Sequence, residues 1–344
     1  MRQFIAEPWY RPPTEELRYL PECPRLLRNF PGDSAVLGWV AIQHGSGRRD
    51  GSLNLLDLAT RRNRTIVLPG RPGFFVETTR PGTLLVGMER ELVLVDAIGG
   101  EISKTGISIP TNQPVIINEG ICVSGGVVFG TKHDRPRTPA TFLQFAVRMI
   151  SAKCGLSRSC AALYYFDCAT RSVREIVGNQ VCSNGKYCWC FDGGLELIDI
   201  DSMPKAITWY RFTPEFRELL TRRPLVPPAS LPAFPDGLRA SPDGQSIVVA
   251  FYNPDAADAG IARELRLTDG VVLTEWKLPG SPRVTCPELV ELDGNIKVLF
   301  TTAVEGMPAK AQRNAPHAGA FFCAATPFST LPEPPPLFPV ESVT

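Results

Sequence analysis

A six-bladed β-propeller with four-stranded blades is the fold the sequence predicts, and three observations predict it. Short apolar and aromatic runs, each following a Gly or a turn, recur six times: Ser34-AVLGWVAIQ, Gly82-TLLVG, Gly126-VVFGT, Gly185-KYCWCFD, Gly244-QSIVVAFYN and Gly294-NIKVLFTTA. Runs of this length read as strands. The last five glycines stand 44, 59, 59 and 50 residues apart, near the repeat length of a propeller blade, with the longer gaps implying inserted loops. A second element, SLNLLDLATRR, ELVLVDAIGGEI, ALYYFDCATRSV and ARELRLTDGVVL, reads as strand, Asp or Thr turn, strand: the outer hairpin of a blade.

Helical signals are few. Thr213 to Arg223, TPEFRELLTRR, carries an N-cap Thr and Pro at the first helical position, which predicts one short helix, and Ala140 to Cys154 reads as another. Both fall where the repeat is stretched, so insertions at 136–160 and 206–232 are expected either to cover one mouth of the propeller or to decorate its surface. Residues 1–20 read as an N-terminal extension, 21–326 as the propeller, and 327–344, with its PEPPP run, as a Pro-rich tail draped over the domain.

Composition narrows the function. Of 344 residues, 44% are hydrophobic and 21% charged, so the chain can bury a large core; the 33 Pro and 29 Gly are dispersed, as suits a turn-rich β protein. Lys plus Arg number 36 against 35 for Asp plus Glu, which gives no electrostatic reason for a nucleic-acid partner. No stretch is long and apolar enough for a membrane span or a signal peptide, so no membrane is expected and the cytoplasm is the default compartment. The ten cysteines form no CxxC pair and only three histidines exist, so zinc-finger spacing is missing and free, packed thiols are expected. Cys188 and Cys190 share a strand face that suits either a core or a site lining. G-x-S-x-G, P-loop, post-strand G-x-G-x-x-G and H-E-x-x-H patterns do not occur.

Loops from several blades converge on a propeller's axial mouth, so site residues should come singly from distant turns. Four oxygen-bearing residues fit: Glu22 in LPECP, Asn118 in INEG, Asn179 in VGNQ and Asp236 in FPDG. Each has an ordinary alternative. A Pro-Asp-Gly aspartate usually serves its own turn, as Asp243 in SPDG is expected to do, and Asn118 and Asn179 could be loop amides. Glu22 has Glu15, Glu16 and Asp33 as rivals.

From about Leu20 to Met307 the chain resembles the regucalcin, gluconolactonase and senescence-marker family of six-bladed propellers. Asn118-Glu-Gly-ICVSGGVVFGT is similar to the family's N-D-G, strand, G-T segment; FPDGLRASPDGQSIVVAFYN resembles its P-D-G hairpin; and LTEWKLPGSPRVTCPEL with VLFTTA resembles its closing blade. The resemblance implies one divalent cation on Glu22, Asn179 and Asp236, with Asn118 reaching the substrate. Such hard oxygen donors suit Ca²⁺ first, with Mg²⁺, Mn²⁺ or Zn²⁺ as alternatives. Three departures stand out: Glu119 replaces an Asp, Ile116 stands where many members carry a substrate-holding Arg, and Gln180 replaces a Gly. Cys23, Cys122 and Cys182 lie beside proposed site residues, either as packing or as softer ligands that would favour zinc.

The implied reaction is hydrolytic opening of a lactone to a hydroxy acid, with Asp236 as general base, Glu119 as a second candidate, and Asn118, Glu119 and Ile116 against the substrate. A related esterase or phosphotriesterase is one alternative. A non-catalytic calcium or small-ligand binder is another, as is a protein-docking platform, since fold does not fix function. The basic run Lys132 to Arg137 could attract an anionic substrate, but a solvated charged loop is the expected reading.

Overall fold

The recurrent apolar runs pair into six antiparallel sheets in the computed structural model, which describes residues 1–44, 48–134 and 159–343. Two short N-terminal strands, β1 (Arg2–Ile5) and β2 (Glu7–Tyr10), precede helix α1 (Glu15–Tyr19). Blade 1 is β3 (Pro21–Leu26), β4 (Val36–Ile42), β5 (Gly51–Asp57) and β6 (Asn63–Leu68); blade 2 is β7 (Pro72–Glu77), β8 (Thr83–Met88), β9 (Glu91–Asp96) and β10 (Ile102–Ser108). Blade 3 is β11 (Val115–Val123), β12 (Gly126–His133), β13 (Ala161–Asp167) and β14 (Ser172–Gln180); blade 4 is β15 (Ser183–Phe191), β16 (Gly194–Asp201), β17 (Ala206–Phe212) and β18 (Leu219–Pro224). Blade 5 is β19 (Phe234–Ala240), β20 (Ser246–Tyr252), β21 (Ala259–Arg266) and β22 (Val272–Pro279); blade 6 has β23 (Val284–Leu292), β24 (Asn295–Thr302) and β25 (Phe321–Ala325). Helix α2 (Ala309–Asn314) lies between β24 and β25.

The turns obey the side-chain chemistry of their aspartates. Asp57 Oδ1 accepts from the Thr60 N–H at 2.7 Å, and Asp96, Asp167 and Asp269 accept in the same way from the N–H two residues on. These Asx turns sit between the third and fourth strands of blades 1, 2, 3 and 5, where the outer hairpins are expected. Asp243 likewise serves its own hairpin, accepting from Ser241 Oγ and the Gln245 N–H.

The core lies between blades rather than within them. Trp39 of blade 1 packs with Val290, Leu299 and Phe321 of blade 6, and Trp276 of blade 5 with Phe300 and Phe322 of blade 6; both tryptophans are fully buried. Each interface buries the faces of two sheets at once, so every blade depends on both neighbours.

Residues 1–10, expected as an extension that either packs or wanders, are built into the ring: β2 pairs with β25 as the fourth strand of blade 6, and β1 adds in parallel to β22 as a fifth strand of blade 5. The ring is thus closed by the N-terminus, with Phe4 stacked on Trp276 and Tyr10 edge-on to Phe321. The helix expected over Thr213 to Arg223 is instead one 3₁₀ turn, Pro214–Phe216, followed by β18, because β17 needs an outer partner and the sheet overrides the local helical signal. The 206–232 segment therefore belongs to blade 4 rather than to a lid. The helix expected over Ala140 to Cys154, and nearly all of the 136–160 insertion, lie outside the described residues. In the C-terminal segment, Phe338 bridges to Thr78 and is fully buried near Phe166.

Every first strand carries a bulge at the same height. The paired register skips at Cys23-Pro24 in β3, at Gly73 in β7, at Asn118-Glu119 in β11, at Asn184-Gly185 in β15, at Asp236-Gly237 in β19 and at Thr285-Cys286 in β23. In five of the six, two residues face one partner, and the added residue re-aims a side chain toward the axis. The glycines at these points are dictated by crowding. A Cβ on Gly185 would lie 2.5 Å from the Leu238 nitrogen, and one on Gly237 would lie 2.1 Å from Cys286 Sγ.

Deleting residues 1–10 should lower the melting temperature by many degrees in a thermal denaturation scan, since about 1 kcal/mol shifts a large domain by roughly 2–4 °C and two strands are lost; an unchanged transition would contradict ring closure by β1 and β2. Gly237→Ala should destabilise by about 1–3 kcal/mol through overpacking, and adding Cys286→Ala should recover part of that loss in denaturant titration.

Candidate active site

The bulges bring together Asn118 from blade 3, Asn184 from blade 4 and Asp236 from blade 5, with Glu22 one residue ahead of the bulge in blade 1. First strands of successive blades pack side by side, so these side chains share one axial opening. Asn184 Nδ2 donates to Asp236 Oδ1 and, at 3.1 Å, to Ser202 Oγ. Asn118 Nδ2 donates to the Ser183 carbonyl at 2.8 Å, tying blade 3 to the strand that presents Asn184. Cys286 Sγ donates to Glu22 Oε2 at 3.0 Å.

A buried scaffold fixes the Asn184 segment. Lys186 Nζ is 3.2 Å from Asp199 Oδ1, both side chains almost wholly buried, and it also donates to Ser183 Oγ and the Asn184 carbonyl. Asp201 accepts the backbone N–H groups of Val181 and Cys182, and burial nevertheless pushes its carboxyl up to about 6. Removing one partner of such an ion pair leaves a buried charge uncompensated, so the scaffold is rigid.

Two carboxyl groups meet in this opening at a cost. Burial pushes Glu22 up to about 8, with Glu119 and Glu305 adding to the shift while the Cys286 thiol and Lys132 oppose it. Asp236 is raised well above the usual carboxylate range by burial and then by Glu22, again opposed by Lys132. Acids crowded in a desolvated pocket resist ionising together unless a cation joins them. The thiols here are pushed the same way: burial raises Cys182 to about 12 and Cys286 well above its usual value, so both stay protonated at neutral pH. Oxygen atoms of Glu22, Asp236 and the two amides are thus the available donors, a hard set that fits a cation such as Ca²⁺ and disfavours a thiolate-bound zinc. Among the described residues no cluster of three or more His, Cys, Asp or Glu side chains forms, so the amides are needed to complete a cage.

The structure separates the other sequence candidates. Asn179 is not in the opening. It lies exposed at the end of β14, the outermost strand of blade 3, with left-handed backbone (φ 62°), and its Oδ1 accepts from the Ser159 N–H at 2.8 Å. Asn184, fifty-two residues before Asp236 and hydrogen-bonded to it, holds the place assigned to Asn179. With Gly185 following Asn184, the departure read at Gln180 disappears; Gln180 donates to Asp199 instead. Glu119 is drawn to Arg25, with Nη2 to Oε1 at 2.7 Å, and is 2% exposed, so it braces the channel rather than facing substrate. Arg239 and Glu288 form a matching pair at 2.7 Å. Ile116 is 3% exposed on β11, directly paired with Lys132. Glu15 and Glu16 are exposed on α1 and Asp33 is exposed in a loop, which leaves Glu22 as the blade 1 carboxyl of the opening. Cys23 and Cys122 are buried packing residues, whereas Cys182 lies 3.8 Å from Asn118 Nδ2.

Sequence reasoning passed over Asn184 and Cys286. Asn184 carried a usable signal, a polar residue followed by Gly at the start of an aromatic strand, as in Asp236-Gly237. Lys132 was assigned to a solvated loop; its place at the end of β12, where its charge reaches Glu22, Asp236 and Cys182, follows only from strand register. Nothing in the TCP tripeptide marks Cys286.

Among solved structures, a calcium-binding regucalcin from Agrobacterium tumefaciens is similar at 18% identity and a TM-score of 0.70, covering 97% of this chain and 99% of that one. A luciferin-regenerating enzyme is 16% identical at a TM-score of 0.72, covering 96% and 100%. A gluconolactonase from Xanthomonas campestris is 12% identical at a TM-score of 0.57, covering 94% and 97%. These identities establish a shared fold. Among curated proteins, none matches. The SMP-30/gluconolactonase/LRE-like region is matched over residues 20–303, from the strand that carries Glu22 to the end of β24, and the chain belongs to that family.

Proposed function

We propose that this protein hydrolyses a lactone to its hydroxy acid with the help of one divalent cation, Ca²⁺ being the best fit. The observation that carries the reading is the meeting of the half-buried Glu22 and buried Asp236 carboxyls with the Asn184 and Asn118 amides, at or beside bulges from four different blades. Membership of a family that includes gluconolactonases supports it. Glu22, Asn184 and Asp236 would hold the cation, which when bound polarises an ester carbonyl and acidifies water.

The chain's own groups supply the rest. Asp236 is the proton acceptor: Asn184 fixes one of its carboxyl oxygens, leaving the other to take a proton from the attacking water. Asn118 is anchored through Nδ2 to the Ser183 carbonyl, and its amide oxygen is the group assigned to orient the substrate. Cys286 holds Glu22 in place through its thiol. Arg25, paired with Glu119, keeps that second carboxylate out of the proton transfer.

A small ester or lactone is accordingly the partner proposed. No helix among the described residues is long and apolar enough to cross a membrane. The described cysteines are all free thiols, which supports placing the protein in the cytoplasm.

Asn184→Ala and Asp236→Ala should each lower cation-dependent lactone turnover by about a hundredfold or more, the scale of losing a group that acts in the transition state, while Asn179→Ala keeps most of it. Rates followed in a pH-stat, with calcium binding by calorimetry in parallel, check this. Full activity in Asn184→Ala, or loss only in Asn179→Ala, would refute the assignment.

A further inference from the structure

Among the described residues, Lys132 is a cation beside this opening that forms no direct ion pair, although its charge acts on Glu22 and Asp236 at longer range. It sits near the end of β12, paired with Ile116 on one side and bridged to Cys182 on the other, so the backbone fixes its position between blades 3 and 4. Neither a hydrogen bond nor an ion pair ties its ammonium to another described residue. Its field nevertheless reaches Glu22, Asp236 and Cys182.

Four other basic residues near this opening are held by carboxylates, whereas Arg283, just ahead of β23, donates to the Pro254 carbonyl and lies over the Tyr252 ring. Arg71 is 2% exposed, grips both carboxyl oxygens of Glu89 and reaches Asp134 at 2.8 Å; Arg49 binds the same Asp134 at 2.8 Å; Arg25 and Arg239 pair with Glu119 and Glu288. If a divalent cation is offset by Glu22 and Asp236, the charge of Lys132 is left over. It forms no ion pair with those carboxyls, and its strand pairs it directly with the apolar Ile116, along which its stem can rest.

We infer that Lys132 binds a carboxylate carried by the substrate, so that the preferred substrate is an acidic lactone rather than a neutral one. This deepens the lactone reading and rests on it for the site, but not for the charge preference. A fixed ammonium in a partly desolvated opening rewards a complementary anion and leaves a neutral hydroxymethyl group with no ionic partner. Lys132 acts here as a specificity residue; the proton transfer stays with Asp236.

The test uses two ring-matched probes, D-glucaro-1,4-lactone, which carries a free carboxylate, and D-glucono-1,4-lactone, which carries a hydroxymethyl group in its place. Affinities of the full chain are measured by calorimetry with Ca²⁺ present, and turnover is followed separately. The native protein should bind the acidic probe at least about tenfold more tightly, the worth of roughly 1.4 kcal/mol. In Lys132→Met that ratio should fall toward one, and in Lys132→Arg it should be largely restored. Equal affinities in the native protein, binding of neither probe, or a preference that survives in Lys132→Met would each overturn the inference. Should the preference behave as expected while neither probe is hydrolysed, the charge assignment stands and the hydrolytic reading falls.

Discussion

One extra residue in each first strand, inserted where neighbouring first strands meet, is the constraint on which this site depends. A regular strand would alternate its side chains between the two faces of its blade and bury both against neighbouring sheets. The bulge breaks that alternation where the strands come closest to the axis. It turns Asn118, Asn184 and Asp236 into the opening and leaves Gly185 and Gly237 to pass the adjoining strands. Blade 2 has Gly73 at this height, where a Cβ would strike the Asn118 carbonyl, and so contributes no side chain.

The polar groups so gathered need support, and the fold supplies it in layers. Just behind Asn184 lies the Lys186 and Asp199 pair; further along the channel Arg25 and Glu119 face Arg239 and Glu288. Each of these charges has a partner, whereas Glu22 and Asp236 have none of opposite sign within ion-pairing distance. The opening therefore holds two acids that lack a direct ion pair, with Lys132 acting on them at longer range. Unbalanced acids held by rigid neighbours are what a cation site requires before the cation arrives.

Much of the architecture was legible because propeller strands announce themselves locally. The apolar runs after Gly82, Gly126, Gly244 and Gly294 are the second strands of their blades, and the D-x-x-T and D-G turns mark the outer hairpins. The run after Gly185 is different: it is the first strand of blade 4, so counting it as equivalent to the others displaced the expected ligand from Asn184 to Asn179. The local pattern of TPEFRELLTRR favoured a helix, but an edge left open on β17 outweighed it. Pairings between the first ten residues and blades 5 and 6 span nearly the whole chain, and local pattern carries no trace of them. The placing of Lys132 opposite Ile116 was hidden for the same reason, since only register shows it. Asp236 and Asn118 were found because each stands just before the turn or glycine that its bulge demands.

Diffraction from crystals soaked in Mn²⁺ measures the central claim most directly, since the ion reports its own position through anomalous scattering. The account requires a single strong peak in the axial opening, bounded by the carboxyls of residues 22 and 236 and the amide of residue 184. A vacant opening at saturating Mn²⁺, or a peak at the outer edge of blade 3 beside residue 179, would contradict it.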